Sequence, residues 1–163
     1  MSNIIELKKV VKNYISKKKI RVLNKINFSF KSGKIYSLIG PSGSGKSTLL
    51  NLLSLIDTPN SGTIKISNKV INYSSKSYND KIRANKIGII YQDNNLLSDF
   101  TAIENVYLSR LAVDENKNKA IVDAKKIIKK LGLTNRQNHL ASELSGGEMQ
   151  RVAIARALIN SPE

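Results

Sequence analysis

The fold is decided by a short stretch that matches the pattern G-x-x-x-x-G-K-[ST], namely Gly40-Pro41-Ser42-Gly43-Ser44-Gly45-Lys46-Ser47. The apolar run 35–39 before it predicts a buried strand, and the apolar run 48–56 after it predicts a helix. Glycines let such a loop curl with its backbone N–H groups pointing inward, where they and the helix N-terminus can hold an anion. The stretch therefore predicts a phosphate-binding loop rather than an ordinary glycine-rich turn.

The side chains that end this loop indicate what the phosphate belongs to. Lys46 is expected to extend its ammonium to the β- and γ-phosphates of a nucleotide. Ser47 is expected to offer its hydroxyl to Mg²⁺, and Thr48 to bond the α-phosphate. The loop thus predicts a nucleotide with Mg²⁺ as its ligand.

The composition is that of a globular chain. Its 163 residues are 40% apolar and 24% charged, which suffices for one domain with its own core. The lack of cysteine excludes a disulfide framework and thiolate metal sites, and a single histidine leaves little for an imidazole cluster. No run approaches the roughly 20 apolar residues that span a bilayer. Glu6 and Lys8 fall where a secretory signal needs an uninterrupted apolar region.

The net charge of +15 is compatible with several anionic partners, among them nucleic acid, anionic lipid and phosphorylated ligands. Aromatic residues make up only 6% of the chain, and the lysines are spread along it beside many isoleucines and asparagines. Such a joint bias is also what coding composition produces. We therefore predict no specific nucleic-acid partner from the charge.

Apolar periodicity divides the chain into an α/β part and a helical part. Alternation predicts strands at 20–30, 4–11 and 63–71, with a polar connection at 14–19. A polar loop is expected at 72–80 and a buried strand at 86–91. Three- and four-residue spacing predicts an amphipathic helix at 120–131, which Gly132 ends.

A second glycine-rich motif, Leu144-Ser145-Gly146-Gly147-Glu148-Met149-Gln150, precedes the last predicted helix, 148–159. Its plain structural interpretation is a capping box, in which Ser145 and Glu148 satisfy the N-terminus of that helix. A capping box does not require two adjacent glycines, which cost helix stability and allow a close approach to the backbone. A second anion site at this helix N-terminus is the alternative.

With both motifs in place, the whole chain resembles the nucleotide-binding subunit of ABC transporters, whose signature the residues L-S-G-G-E-M-Q-R at 144–151 match. The resemblance implies a P-loop NTPase of the ABC type that binds ATP and Mg²⁺, with an N-terminal antiparallel β subdomain and a helical subdomain. We expect a single ABC ATPase domain over 1–163, with a β and P-loop core at about 1–92, a helical signature subdomain at about 93–150 and the end of the signature helix at 151–163.

The resemblance also implies roles for further residues. Tyr14 corresponds to the aromatic that stacks on adenine, and Gln92 to the Q-loop glutamine that contacts Mg²⁺ or the attacking water. In this family two subunits meet head to tail, and the signature of one faces the ATP of the other. The residues implied to do so here are Leu144, Ser145, Gly146, Gly147, Glu148 and Gln150. The other implied partners are membrane-spanning transporter subunits, which place the protein peripherally at the cytoplasmic face of the inner membrane.

Within the family, residues 96–106 read L-L-S-D-F-T-A-I-E-N-V and are most similar to the lipoprotein-releasing branch. The macrolide-export and cell-division ATPases are the nearest alternatives. Two other classes stay open: a soluble ABC ATPase that acts on ribosomes or DNA, and a remnant that binds ATP without hydrolysing it.

The family's Walker B strand and catalytic glutamate follow the signature helix, and no residue up to Glu163 matches them. We therefore expect no catalytic residue within the chain, an incomplete C-terminal part of the core, and the catalytic glutamate beyond Glu163. The resemblance therefore implies that the intact protein is an ATPase, whereas the chain alone is not expected to hydrolyse ATP. His139 precedes the signature and is predicted to be an exposed loop residue rather than the family's switch histidine.

Overall fold

A computed structural model describes residues 2–15 and 18–163. The chain divides into two compact units, Met1–Asp80 and Lys81–Glu163. Across the described residues, no helix combines the length and the apolar character needed to cross a membrane. The predicted connection 14–19 is not what forms: Tyr14 and Ile15 continue the first strand, Lys19 begins the second, and Ser16 and Lys17 lie outside the described residues.

The first unit is built on an antiparallel sheet. Its strands are β1 (Asn3–Ile15), β2 (Lys19–Lys31), β3 (Ser61–Ile66) and β4 (Lys69–Val70), in the order β2-β1-β3-β4. The predicted N-terminal antiparallel β subdomain is confirmed. The helix predicted after the glycine-rich loop is also present, as α1 (Lys46–Leu53). Its Leu52 is fully buried, as are Val10 and Ile64 of the sheet.

A close backbone approach joins β1 to β3. Gly62 has φ +93°, and a Cβ built on it would collide with the backbone of Lys9 and lie 2.6 Å from Val10 Cα. Lys9 itself has φ +50°, at an irregularity in the β1–β3 register between Lys8 and Val11. Only glycine fits at position 62, because any side chain would push the two strands apart.

Two strand predictions in this unit need correction. The single strand predicted at 63–71 is two strands, because Ser67 and Asn68 adopt φ +46° and +64° and form a tight turn between β3 and β4. The run 35–39 is not a buried strand: Ile35 is 98% and Ile39 88% exposed, and no described strand pairs with it. Apolar composition suits a central strand, but a strand forms only where a neighbour completes its hydrogen bonds.

The second unit is helical. It contains α3 (Ala102–Leu111), α4 (Lys117–Lys130) and α5 (Gly146–Leu158), while α2 (Lys76–Lys86) spans the division between the units. The predicted stripe on α4 is confirmed, since Ala120, Ala124 and Ile128 are buried, and Gly132 follows the helix with φ +69°. The core joins α3, α4 and α5 through Ala102, Val106, Ala124, Ile128, Leu133, Leu144, Val152 and Ala155.

Two further predictions were wrong around α2. The segment 72–80 is not wholly a loop, because α2 begins at Lys76; most residues of this helix are polar, and its buried position is occupied by Asn79 rather than by an apolar residue. The segment 86–91 is not a buried strand: Lys86 ends α2, Ile90 is 52% exposed, and no described strand pairs with the segment. The cause is the same as at 35–39, since the pairing partner of a strand cannot be inferred from the strand alone.

Candidate nucleotide-binding site

The glycine-rich loop ends at the N-terminus of α1. Gly45 is the N-cap residue, with φ +91° and ψ +9°, and no side chain caps the helix. The N–H groups of the first helical turn therefore remain available to a ligand. A Cβ on Gly45 would lie 3.0 Å from Val22 Cγ1 and 3.2 Å from Leu23 Cδ2, so β2 packs directly against the loop. The position needs glycine both for its backbone angles and for space.

Lys46 brings a positive charge to the same loop. Its Nζ donates hydrogen bonds to the carbonyl oxygens of Gly40 and Pro41, each at 2.8 Å. Ser47 is exposed and Thr48 is half-buried on the first turn of α1. An ammonium group and an uncapped helix N-terminus thus meet at one loop, and this combination of donors suits a phosphate.

Tyr14 is on β1, where it pairs with Ile20 of β2. Its side chain is 41% exposed, and its hydroxyl donates a hydrogen bond of 2.9 Å to Asp57 Oδ2. Lys12 Nζ lies 5.0 Å from the centroid of the Tyr14 ring. The predicted aromatic therefore presents an accessible ring that is fixed at its hydroxyl.

Gln92 is exposed in a turn of the second unit, where the N–H of Asn94 donates to the carbonyl of Tyr91. Asn94 and Asn95 follow with φ +57° and +46°. Arg156 of α5 donates to the carbonyl oxygens of both asparagines. Gln92 is thus positioned beside a backbone turn that the signature helix holds.

The capping box predicted at the signature is confirmed. The N–H and hydroxyl of Ser145 each donate to Glu148 Oε2 at 2.8 Å, and the Glu148 N–H donates back to Ser145 Oγ. The hydrogen bond from the Ser145 N–H is the main reason that the pKa of Glu148 falls to about 2, with the Ser145 hydroxyl and Arg136 adding to it. Built on Gly146, a Cβ would meet nothing within 4 Å, and on Gly147 it would meet only Arg151 at 3.8 Å.

The remaining signature residues and His139 lie around this box. Leu144 is buried in the helical core, whereas Gln150 is exposed on α5. His139 is in a loop, as predicted, but it is half-buried rather than exposed, because its Nε2 lies 3.3 Å from Arg136 Nη1. Arg136 in turn donates to Glu148 Oε1 at 3.0 Å.

Sequence reasoning missed three polar residues that organise these segments. Asn105 is buried on α3, where its amide donates to the carbonyls of Leu97, Phe100 and Thr101 and its Oδ1 accepts from the Leu97 N–H. Lys12 and Asp57 form a partly buried ion pair behind Tyr14. Asn105 could have been noticed in the sequence, because it is an asparagine on the buried face of a helix. The Lys12–Asp57 ion pair could not, because its two residues are far apart in the sequence.

Comparison with known proteins decides the family. The family model described as ABC transporter matches residues 23–163. The chain belongs to this family. It is similar to the lipoprotein-releasing system ATP-binding protein LolD of Rickettsia bellii, with 48% identity over all of this chain and 72% of that protein. The LolD protein of Wigglesworthia glossinidia brevipalpis is 47% identical over the same shares.

Solved ABC cassettes have the same fold. A dimeric post-hydrolysis structure of the ATP-binding cassette MJ0796, bound to ADP and Pi, superposes with a TM-score of 0.87 at 39% identity, covering 97% of this chain and 70% of that one. A Clostridium perfringens protein, cbiO1 of the transporter complex cbiONQ, superposes with a TM-score of 0.81 at 29% identity, covering 99% and 63%. These matches confirm the predicted ABC-type P-loop NTPase fold and identify the chain as an ATP-binding subunit of an ABC transporter.

Proposed function

We propose that the protein binds ATP at the loop that leads into α1 and couples its hydrolysis to the release of lipoproteins from the inner membrane. The observation that carries the ATP site is the uncapped N-terminus of α1 at Gly45, with the ammonium of Lys46 held over the same loop. The proposed contacts to the phosphates come from Gly40, Pro41, Ser42, Gly43, Ser44, Gly45, Lys46, Ser47 and Thr48.

Three side chains complete the proposed nucleotide site. Tyr14 would stack on adenine, which is supported by its exposed ring. Ser47 and Gln92 would hold Mg²⁺, and both side chains are exposed. ATP, when bound, supplies the phosphoanhydride bond whose cleavage drives the transport cycle. A catalytic glutamate for that cleavage is not assigned to any residue of this chain.

A second copy or a related subunit would complete the site from the signature side. Ser145, Gly146 and Gly147 would face the ATP of the partner subunit, with Leu144, Glu148 and Gln150 supporting that turn. The space around Gly146 supports this role, because a ligand can approach the backbone closely there. The dimeric state of the related cassette MJ0796 supports the pairing.

The proposed cargo follows from the relatives, since LolD proteins are ATP-binding components of lipoprotein-releasing systems. By this analogy the protein docks on membrane-spanning subunits at the cytoplasmic face of the inner membrane. The test is reconstitution: the tagged protein is purified with the membrane subunits that accompany it and placed in vesicles loaded with a lipoprotein or with an amphiphilic drug.

The proposal predicts that ATP releases the lipoprotein and not the drug, and that Lys46→Ala abolishes this release. Lys125→Ala, which removes an exposed lysine of α4, is the matched control and should release normally. Transport of the drug alone would instead favour the export branch. ATP-independent release, or equal release by the Lys46→Ala variant, would refute the proposed coupling.

A further inference from the structure

One carboxylate behind Tyr14 connects β1 to the turn that follows α1. Lys12 of β1 is only 8% exposed, and its ammonium contacts Asp57 Oδ1 at 2.6 Å and donates to the carbonyl of Thr58 at 2.8 Å. The other oxygen of Asp57 accepts the hydrogen bond from the Tyr14 hydroxyl at 2.9 Å. Asp57 therefore bridges the lysine and the tyrosine of the same strand.

Asp57 is itself fixed to the end of α1. The N–H groups of Ile56 and Asp57 both donate to the carbonyl of Asn51, at 2.9 and 3.1 Å, and close the turn that follows the helix. The N–H of Thr58 donates to Asp57 Oδ1 at 2.7 Å. Because α1 begins at the phosphate-binding loop, the helix has that loop at one end and the anchor of Tyr14 at the other.

The strand β2 links Tyr14 to the loop a second time. Tyr14 pairs with Ile20, while Leu23 pairs with Lys12 and packs against Gly45. Ile20 and Leu23 are separated by about 10 Å along the strand at the usual rise per residue. That spacing suits a ligand with a base at one end and phosphates at the other.

Lys12 also determines which face of the ring can be used. Its ammonium lies over the Tyr14 ring, 5.0 Å from the centroid, in a cation–π arrangement on the side of the buried ion pair. A planar base must then stack on the opposite face. Only one face of the Tyr14 ring is then open to a base, because the hydroxyl is bonded to Asp57 and the Lys12 ammonium lies over the other face.

We propose that Asp57 is a positioning residue for the nucleobase, which fixes Tyr14 and Lys12 so that the outer face of the tyrosine ring receives adenine. This inference rests on the proposed ATP site. It adds Asp57 to that site as a residue that acts through Tyr14 and Lys12 rather than by touching the phosphates or the base. It implies that Asp57 controls affinity for the base and leaves affinity for the phosphates unchanged.

The experiment compares two ligands, Mg-ATP and Mg-tripolyphosphate, by calorimetric titration of the purified protein. Asp57→Asn should weaken ATP binding by about three- to tenfold, a part of what a lost base–aromatic stack costs. Tripolyphosphate, which has no base, should bind the variant as it binds the unmodified protein. Asp99→Asn removes the same charge from an exposed site and should change neither affinity.

Two further variants separate positioning from general stability. In a Tyr14→Ala background, Asp57→Asn should have no additional effect on ATP, because the ring through which it acts is gone. Tyr14→Phe keeps the ring and loses the bond to Asp57, so it should reproduce the weakened ATP binding even if Asp57→Asn folds poorly. Thermal unfolding of each variant checks the fold.

Two results would overturn the inference if both Asp57→Asn and Tyr14→Phe showed them. The first is an equal loss of affinity for ATP and for tripolyphosphate, and the second is an unchanged affinity for ATP. An undiminished effect of Asp57→Asn in the Tyr14→Ala background would overturn it as well. Failure of the unmodified protein to bind either ligand is a different result, because it would refute the proposed ATP site and the inference with it.

Discussion

Arg156, near the end of α5, donates a guanidinium N–H to the carbonyl oxygen of Asn95, which follows closely after Gln92. A second N–H of the same group donates to the carbonyl of Asn94. Both asparagines have positive φ. This backbone conformation costs free energy, and it persists where surrounding contacts compensate for the cost. The helix that begins at the signature thus stabilises the turn that carries Gln92.

Replacing Arg156 by Met should loosen that turn. The two carbonyls lose a charged donor, whose hydrogen bonds are worth enough to raise local opening by about tenfold or more. Amide hydrogen exchange at residues 92–97 measures this. Arg151→Met changes an exposed arginine of the same helix and should leave exchange there unaltered. Equal exchange in the two variants would show that Arg156 does not hold the turn.

Gly45→Ala should destabilise the first unit more than Gly33→Ala does. Both glycines have positive φ, so both substitutions carry a backbone cost of about 1 kcal/mol. Only at Gly45 does the new methyl group also press on Val22 and Leu23, which adds roughly 1–3 kcal/mol. Chemical denaturation measures the free energy of unfolding. Similar losses for the two variants would contradict the packing of β2 against the loop.

Asn105→Asp should destabilise the second unit although the side chain keeps its shape. The amide donates to three backbone carbonyls, and a carboxylate can donate to none of them. The amide shares its two N–H donors among these carbonyls, so at about 1 kcal/mol for each lost donor the expected loss is about 2 kcal/mol. Asn135→Asp makes the same change at an exposed site and should cost far less in the same denaturation experiment. Comparable stabilities would refute the organising role of Asn105.

The capping box at Ser145 predicts a pH dependence. Folding lowers the pKa of Glu148 from 4.5 to about 2. Its contribution to the free energy of unfolding is therefore complete above pH 4.5 and is lost as the pH falls from 4.5 towards 2. The difference in Tm between the unmodified protein and Glu148→Gln should therefore be constant from pH 7 down to about 5.5 and shrink below 4.5. Glu115→Gln, an exposed control, should show no such change. A constant difference down to pH 3 would contradict the assignment.

Local features of the sequence predicted much of the site. The box of Ser145 and Glu148, the stripe of α4 and the loop into α1 depend on residues that are neighbours in sequence, and all three are present. The family resemblance added Tyr14 and Gln92, and the spacing of residues alone would not have done so.

What the sequence did not predict depends on distant partners. The runs 35–39 and 86–91 have the composition of central strands, yet a strand needs a ladder that their own residues cannot supply. Likewise, Lys12 and Asp57 are 45 positions apart, and only the pairing of β1 with the sheet and the turn after α1 bring them together. The helix α2 was missed for a different reason, since most of its residues are polar and its buried residue is Asn79, which reads as a loop residue in the sequence.

The central claim is that the loop at the start of α1 is an ATP site that depends on Lys46. Calorimetric titration of the unmodified protein and of Lys46→Ala with Mg-ATP tests it most directly, with Lys125→Ala as the control. We predict saturable binding by the unmodified protein and the control, weakened at least about tenfold in Lys46→Ala by the loss of a charged donor. Equal affinity in Lys46→Ala, or no binding by the unmodified protein, would contradict the claim.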